Sequence, residues 1–137
     1  MVRVLFAEEA NAELDALYDQ DEDAAALFDL LLQELDANDH VRDLLFRPAN
    51  HFNFTPPFDV GRVGEAQKLG KNVYRIKVRN EAGQFVPWRM LLGFHAQIDV
   101  FYVLSVLPRD HAYDTGHDSF RQALSRYERL GIPDYRP

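Results

Sequence analysis

Asn72-Val-Tyr-Arg-Ile-Lys-Val-Arg-Asn80 alternates apolar and cationic side chains. In a β-strand, successive side chains point to opposite faces. Tyr74, Ile76 and Val78 then line one face, and Arg75, Lys77 and Arg79 share the other. A row of like charges repels itself, so it is tolerated when solvated or when it meets an anion. A phosphodiester backbone is the evident anion. One short stretch thus predicts a strand with an apolar layer on one side and a cationic surface on the other.

Downstream the pattern stays β. Asn80 to Gln84 reads as a turn, with Gly83 supplying a positive φ. Val86 to Phe94 follows as a strand, with Trp88, Met90, Leu92 and Phe94 on one face and Arg89 on the other. Val100 to Leu107 is apolar on both faces, which predicts a central strand covered twice. Short turns between these strands imply an antiparallel meander of about four strands, starting with a marginal segment at Val60 to Ala66. A helix then closes the chain. Ser119 and Gln122 suggest a capping box, Phe120, Ala123, Leu124 and Tyr127 form its stripe, and Gly131 with Pro133 ends it.

Upstream lie a short strand at Val2 to Phe6 and two helices. Ala10, Leu14, Leu17 and Tyr18 recur at helical spacing. After a polar break at Asp19 to Asp23, where Asp21 or Asp23 can cap, Ala24, Leu27, Phe28, Leu31 and Leu35 form a second stripe, widened by Leu30 and Leu32. So brief a connection makes an αα-hairpin. Residues 46–58 connect hairpin to sheet; Phe46, Phe52, Phe54 and Phe58 sit there among prolines and either anchor a loop to the core or stack on bases. The fold class is therefore α+β: N-terminal strand and helical hairpin, antiparallel meander, C-terminal helix.

At 137 residues, with 47% hydrophobic content, one domain with a true core is expected. No apolar run is long enough for a membrane span, and the N-terminal one is too short for a signal peptide. Without cysteine there are no disulfides and no thiolate metal site, which fits a cytoplasmic location. The net charge of −7 is uneven. Residues 1–45 hold thirteen acids and two bases, a net of −11, while residues 46–137 hold nine acids and thirteen bases, a net of +4. That partition describes either an acidic helical surface beside an ordinary remainder or a basic working face on an acidic scaffold.

Several chemistries are excluded. Gly64 to Lys71 has the wrong glycine spacing for a phosphate loop, and Asn72 stands where a hydroxyl is needed. Ser105 lacks flanking glycines, so no nucleophile elbow forms, and a satisfied sheet hydroxyl is the reading. Asp110, His111, Asp114, His117 and Asp118 match no strong metal template and read as a polar loop before a helix. Pro108 to Asp114 lies where the last strand leaves the sheet. Arg109 offers a planar fork for phosphate, His111 a proton exchanger, and Tyr113 a hydrogen bond or a stacking ring. The alternative is an Arg–Asp pair at a helix entry with Tyr113 packed on the core. Arg75, Lys77, Arg79, Arg89 and Arg109 all come from successive sheet elements, and convergence on one face exceeds what solubility asks for.

This order of elements resembles the RelE/ParE toxin superfamily, including its HigB-like and phage-derived branches. Asn-Val-Tyr-Arg-Ile-Lys-Val at 72–78 is similar to the family's YRLRV strand, and Trp88-Arg89-Met90-Leu91-Leu92 to its YRVLY strand. Val100 to Arg109 resembles its hydrophobic strand ending in bases, and Ser119 to Leu130 its last helix. The resemblance implies the toxin of a type II toxin–antitoxin system: a metal-independent mRNA endoribonuclease needing no cofactor and using the substrate's own 2′-hydroxyl. Lys77 would help deprotonate that hydroxyl, Arg75 and Arg89 would stabilise the phosphorane, and Arg109 would grip the scissile phosphate. His111 or Tyr113 would assist the leaving oxygen. Arg79, Lys71 and Lys68 would bind RNA. A cognate antitoxin, mRNA and the ribosome are the implied partners, and homo-oligomerisation stays open. The same scaffold also serves as a ParE-like gyrase poison or as a toxin-fold domain without catalysis.

Overall fold

A computed structural model describes residues 3–46, 58–112, 114 and 116–134. The chain runs β1 (Arg3–Phe6), α1 (Glu8–Gln20), α2 (Glu22–Ala37), α3 (Asp39–Asp43), a 3-10 turn (Leu44–Phe46), β2 (Phe58–Arg62) and α4 (Gly64–Lys68). It continues through β3 (Val73–Val78), β4 (Trp88–His95), β5 (Val100–Pro108), α5 (Arg109–Ala112) and α6 (Asp118–Arg129). The sheet order is β1-β5-β4-β3-β2. Strands β2 to β5 form the antiparallel meander, and β1 joins the far edge parallel to β5, pairing Arg3 with Val100 and Phe6 with Val103. The fold is α+β as the periodicities predict. The marginal strand is shifted: β2 spans Phe58–Arg62 instead of Val60–Ala66, because Gly64–Lys68 turns into a helix once Val63 has donated its N–H to the Val73 carbonyl.

The sheet carries a layer on each face. Alternation along β3 sends Tyr74, Ile76 and Val78 into one core with Met90, Leu92, Phe101, Val103 and the α1–α2 hairpin. The opposite face packs Val73, Leu91, Leu104 and Leu107 against Phe120, Ala123 and Tyr127 of α6. β5 is buried from both sides, as its unbroken apolar run requires. A bulge beside Leu91 and Leu92 sets Leu91 against Ser105 and Leu92 against Val103. It keeps Val106 facing the hairpin and Leu107 facing α6.

The hairpin follows its stripes. Ala10, Leu14 and Leu17 are buried, as are Ala24, Phe28, Leu31, Leu32 and Leu35. Asp21 caps α2, accepting from Ala24 N at 3.2 Å, and its second oxygen accepts from the Trp88 indole at 3.0 Å. Two stripe residues stay outside. Tyr18 is 38% exposed and donates its hydroxyl to Asp29 across the hairpin, and Leu30 is 58% exposed. Of the four connector phenylalanines, Phe58 is a core residue at the start of β2; Phe52 and Phe54, with the rest of 47–57, lie outside the described residues.

At α6 the predicted capping box gives way. His117 is the cap, its Nδ1 accepting from Ser119 N at 3.1 Å, so the helix begins two residues earlier than expected, at Asp118. An imidazole does here what a hydroxyl was expected to do. Gly93 lets α6 approach: a Cβ there would lie 2.9 Å from Tyr127 Cδ2 and from Ile132 Cδ1. Tyr127 itself donates to the Pro133 carbonyl at 2.7 Å and accepts from Asn72 N at 3.0 Å.

Hairpin and α6 lie on opposite faces, yet they are tied around the open end of β5. Arg126 Nη1 reaches both Glu13 carboxylate oxygens at 3.0 Å and the Leu104 carbonyl at 2.9 Å. Glu13 also accepts from Ser105 Oγ at 2.8 Å and Val106 N at 3.1 Å. Ser105 is thus a satisfied sheet hydroxyl. Glu9 pairs with Arg126 and Arg129, and the Arg129 guanidinium holds its carboxyl below the usual carboxylate range.

Arg126→Ala should destabilise the protein by about 2–3 kcal/mol in urea unfolding, less than the about 3–5 of a fully buried pair because Glu13 retains partial solvent contact. Glu9→Gln should cost much less, because its pairs with Arg126 and Arg129 are open to solvent and salt. Burial pushes the Tyr127 phenol up. The folded form then keeps its proton where the unfolded chain has lost it. This stability is fully present below the unfolded tyrosine value of about 10 and is lost as pH rises through the folded one. Unfolding measured from pH 8 upward should show wild type losing more stability than Tyr127→Phe once pH passes about 10.

Candidate nucleic-acid interface

The α6 layer covers only part of its face of the sheet. Val73 and Leu91 lie under the helical layer, and further along β3 the same face carries Arg75, Lys77 and Arg79. Register fixes their neighbours. Arg75 stands between Gly61 and Leu91, Lys77 is opposite Asp59, and Arg79 bridges to Phe85. β4 contributes Arg89, opposite Leu107.

The cations gather at one ring. Above or beside Phe85 lie the Arg79 guanidinium carbon at 4.0 Å, Lys77 Nζ at 4.6 Å and the Arg89 guanidinium carbon at 6.0 Å from its centroid. These are cation–π distances. Arg79 also donates to Asp59 at 3.3 Å and to the Gly83 carbonyl at 3.3 Å. The turn below is rigidly built. Asn80 N donates to the Gln84 carbonyl, Gln84 N to Asn80 Oδ1, and Gly83 takes a φ of 78°. Arg75, Lys77, Arg79 and Phe85 are half-buried. Arg89 differs. It is only 3% exposed, and its Nη1 donates to the Val86 and Trp88 carbonyls at 2.7 and 2.9 Å. Its charge raises the potential of the cluster from beneath while its fork braces the strand start.

The remaining expected residues scatter. Arg109 opens α5 with an exposed side chain; its N–H donates to the Pro87 carbonyl, at the β4 end that holds Arg89. His111 lies in a different cleft, lined also by Glu13, Trp88, Ser105 and Ser119. It stacks on His117 at 3.6 Å between centroids and sits 3.5 Å from Ser119 Oγ. Tyr113 lies outside the described residues. Lys68 is exposed and pairs with Glu65 one helical turn away. Lys71 is 12% exposed and held by Asp134 at 2.8 Å and Glu128 at 3.1 Å. The bond to Asp134 leads the causes that raise its pKa, and its charge is compensated at the end of α6.

Phe85 and Asp59 are the site residues that sequence reasoning overlooked. The signal for Phe85 was present. A hairpin closed over Asn80 to Gln84 sets position 85 opposite 79, so the residue just before the expected strand shares the cationic face. Asp59 was hidden because its segment read as a connector. Among the described residues, no three His, Asp or Glu side chains come together as metal ligands, and no helix is long and apolar enough to cross a membrane. Comparison with protein-family models, with curated proteins and with solved structures gives no match for this chain.

Proposed function

We propose that the cationic part of the sheet is an RNA-backbone interface, and that the chain is a metal-independent mRNA endoribonuclease acting as the toxin of a toxin–antitoxin pair. The observation that carries the reading is the meeting of Lys77, Arg79 and Arg89 within 6.0 Å of one ring centroid, with Arg75 on the same face of β3. Solubility does not require three cations to share an aromatic ring in a chain of net charge −7. A phosphate held by such a group gains from each of them, and the acidic hairpin lies behind the sheet where its repulsion is weakest.

In the reaction, the 2′-oxygen attacks the adjacent phosphorus, the P–O5′ bond breaks, and the products are a 2′,3′-cyclic phosphate and a 5′-hydroxyl. The 2′-proton passes to water, and Lys77, as an ammonium, donates to the 2′-oxyanion and stabilises it. Arg75 and Arg79 face the charge that grows on the phosphorane, with Arg89 adding field from below. Arg109, exposed beside this end of β4, holds the neighbouring phosphate. The proton for O5′ comes from water.

A second reading is a toxin-fold domain that grips its partner without cutting it. It is favoured by the engagement of Arg89 with two carbonyls and by the position of His111 in the cleft with Glu13 and Trp88. The two separate on purified protein added to translating ribosomes, with mRNA ends mapped in the presence of a chelator. New 5′-ends that persist under chelation and fall about 100-fold or more in Lys77→Ala support cleavage. RNA binding that Arg75→Ala and Arg109→Ala weaken, without new ends, supports the second reading. Neither binding nor ends rejects the interface. Arg89→Ala is a poor reporter here, since it strips two buried carbonyls of their donor.

A further inference from the structure

We propose that Phe85 is the positioning residue of this cationic face: its ring holds Lys77, Arg79 and Arg89 together as one pre-assembled binding cluster for an RNA phosphate. The proposal rests on the RNA-interface reading and adds to it a residue that makes no bond to the phosphate itself.

Among the described residues, Phe85 belongs to neither apolar cluster, although its neighbours Val86 and Trp88 pack into the hairpin core. Its place is set by backbone. The Arg79–Phe85 bridge, the Val86 N–H to the Val78 carbonyl at 3.0 Å and the turn at Asn80–Gln84 hold it whether or not any cation is near. Lys77 and Arg79 come from β3 and Arg89 from β4, and all three approach the same ring. Arg89 is already fixed by its two carbonyls, so the ring's part is to keep Lys77 and Arg79 beside that charge against mutual repulsion. The negative face of an aromatic ring offsets that repulsion. A phosphate then meets charge that is already gathered, and the ordering of flexible side chains does not have to be supplied on binding. Asp59 forms an ion pair with Arg79 from the β2 side, at 3.3 Å.

The chain has three lysines, Lys68, Lys71 and Lys77, so reductive methylation with ¹³C gives few, assignable signals and keeps each charge. The methyl signal of Lys77 should be displaced upfield of that of Lys68 by the ring current of Phe85. In Phe85→Leu it should return to the Lys68 position, while Phe85→Trp keeps it displaced. A labelled oligouridine of about ten nucleotides should bind Phe85→Leu about tenfold more weakly than wild type, a change of about 1.4 kcal/mol. Its dependence on salt should flatten, and Phe85→Trp should restore both. A Lys77 signal that does not move in Phe85→Leu overturns the positioning role. So does unchanged RNA affinity, or a loss that Phe85→Trp shares together with a fall in melting temperature. If wild type binds no oligouridine while the Lys77 signal is displaced, the RNA reading fails and the ring-held cluster stands.

Discussion

The carboxylate of Glu13 holds three parts of the molecule at one point. β1 ends at Phe6, so the second half of β5 has no strand beside it on that edge. Glu13 takes the place of the missing strand for one ladder donor, Val106 N–H, and for the Ser105 hydroxyl. Arg126 does the same for the Leu104 carbonyl and closes the circuit by binding Glu13. A side-chain ion pair thus satisfies backbone groups that would otherwise be costly at a covered sheet edge. It also ties the hairpin to α6 across the sheet edge.

The cationic surface is a consequence of that arrangement. α6 lies over Leu91, Leu104 and Leu107, with Gly93 permitting its close approach. Among the described residues, no helix covers the farther part of β3 on this face, and period-two alternation carried just past Val78 fills it with Arg75, Lys77 and Arg79. The hairpin layer takes the other set of alternate residues and half of the acids. Charge separation within this chain is therefore a property of how two helical layers share one sheet. Each cation was free to be charged because its strand neighbours already supplied the apolar core.

Legible in the sequence is whatever depends on neighbours along the chain. Alternation at 73–79 named both faces of β3, and the unbroken apolar run at 100–107 named the central strand. Asp21 was readable as a cap because capping reaches only three residues. Long-range pairing was not. Nothing near Arg3 says that its partner is Val100, nor that Lys71 will meet Asp134 at the far end of α6. His117, not Ser119, caps α6, and its ring stacks on His111, a pairing that capping preferences do not contain. His111 lines the cleft with Glu13 and Trp88 and not the cationic face it was expected to join. Phe85 went unseen because the hairpin register, and not the residue's own character, gives it meaning.

Asp21 divides its two oxygens between the first turn of α2 and the indole of Trp88. Trp88 is the chain's single tryptophan. One chromophore therefore sits at the seam between the helical corner and the sheet, in polar contact with the former and covalently part of the latter. Its emission is a built-in gauge of whether those two layers are seated, and it reads the acidic half of the chain from the vantage of the basic half without any label.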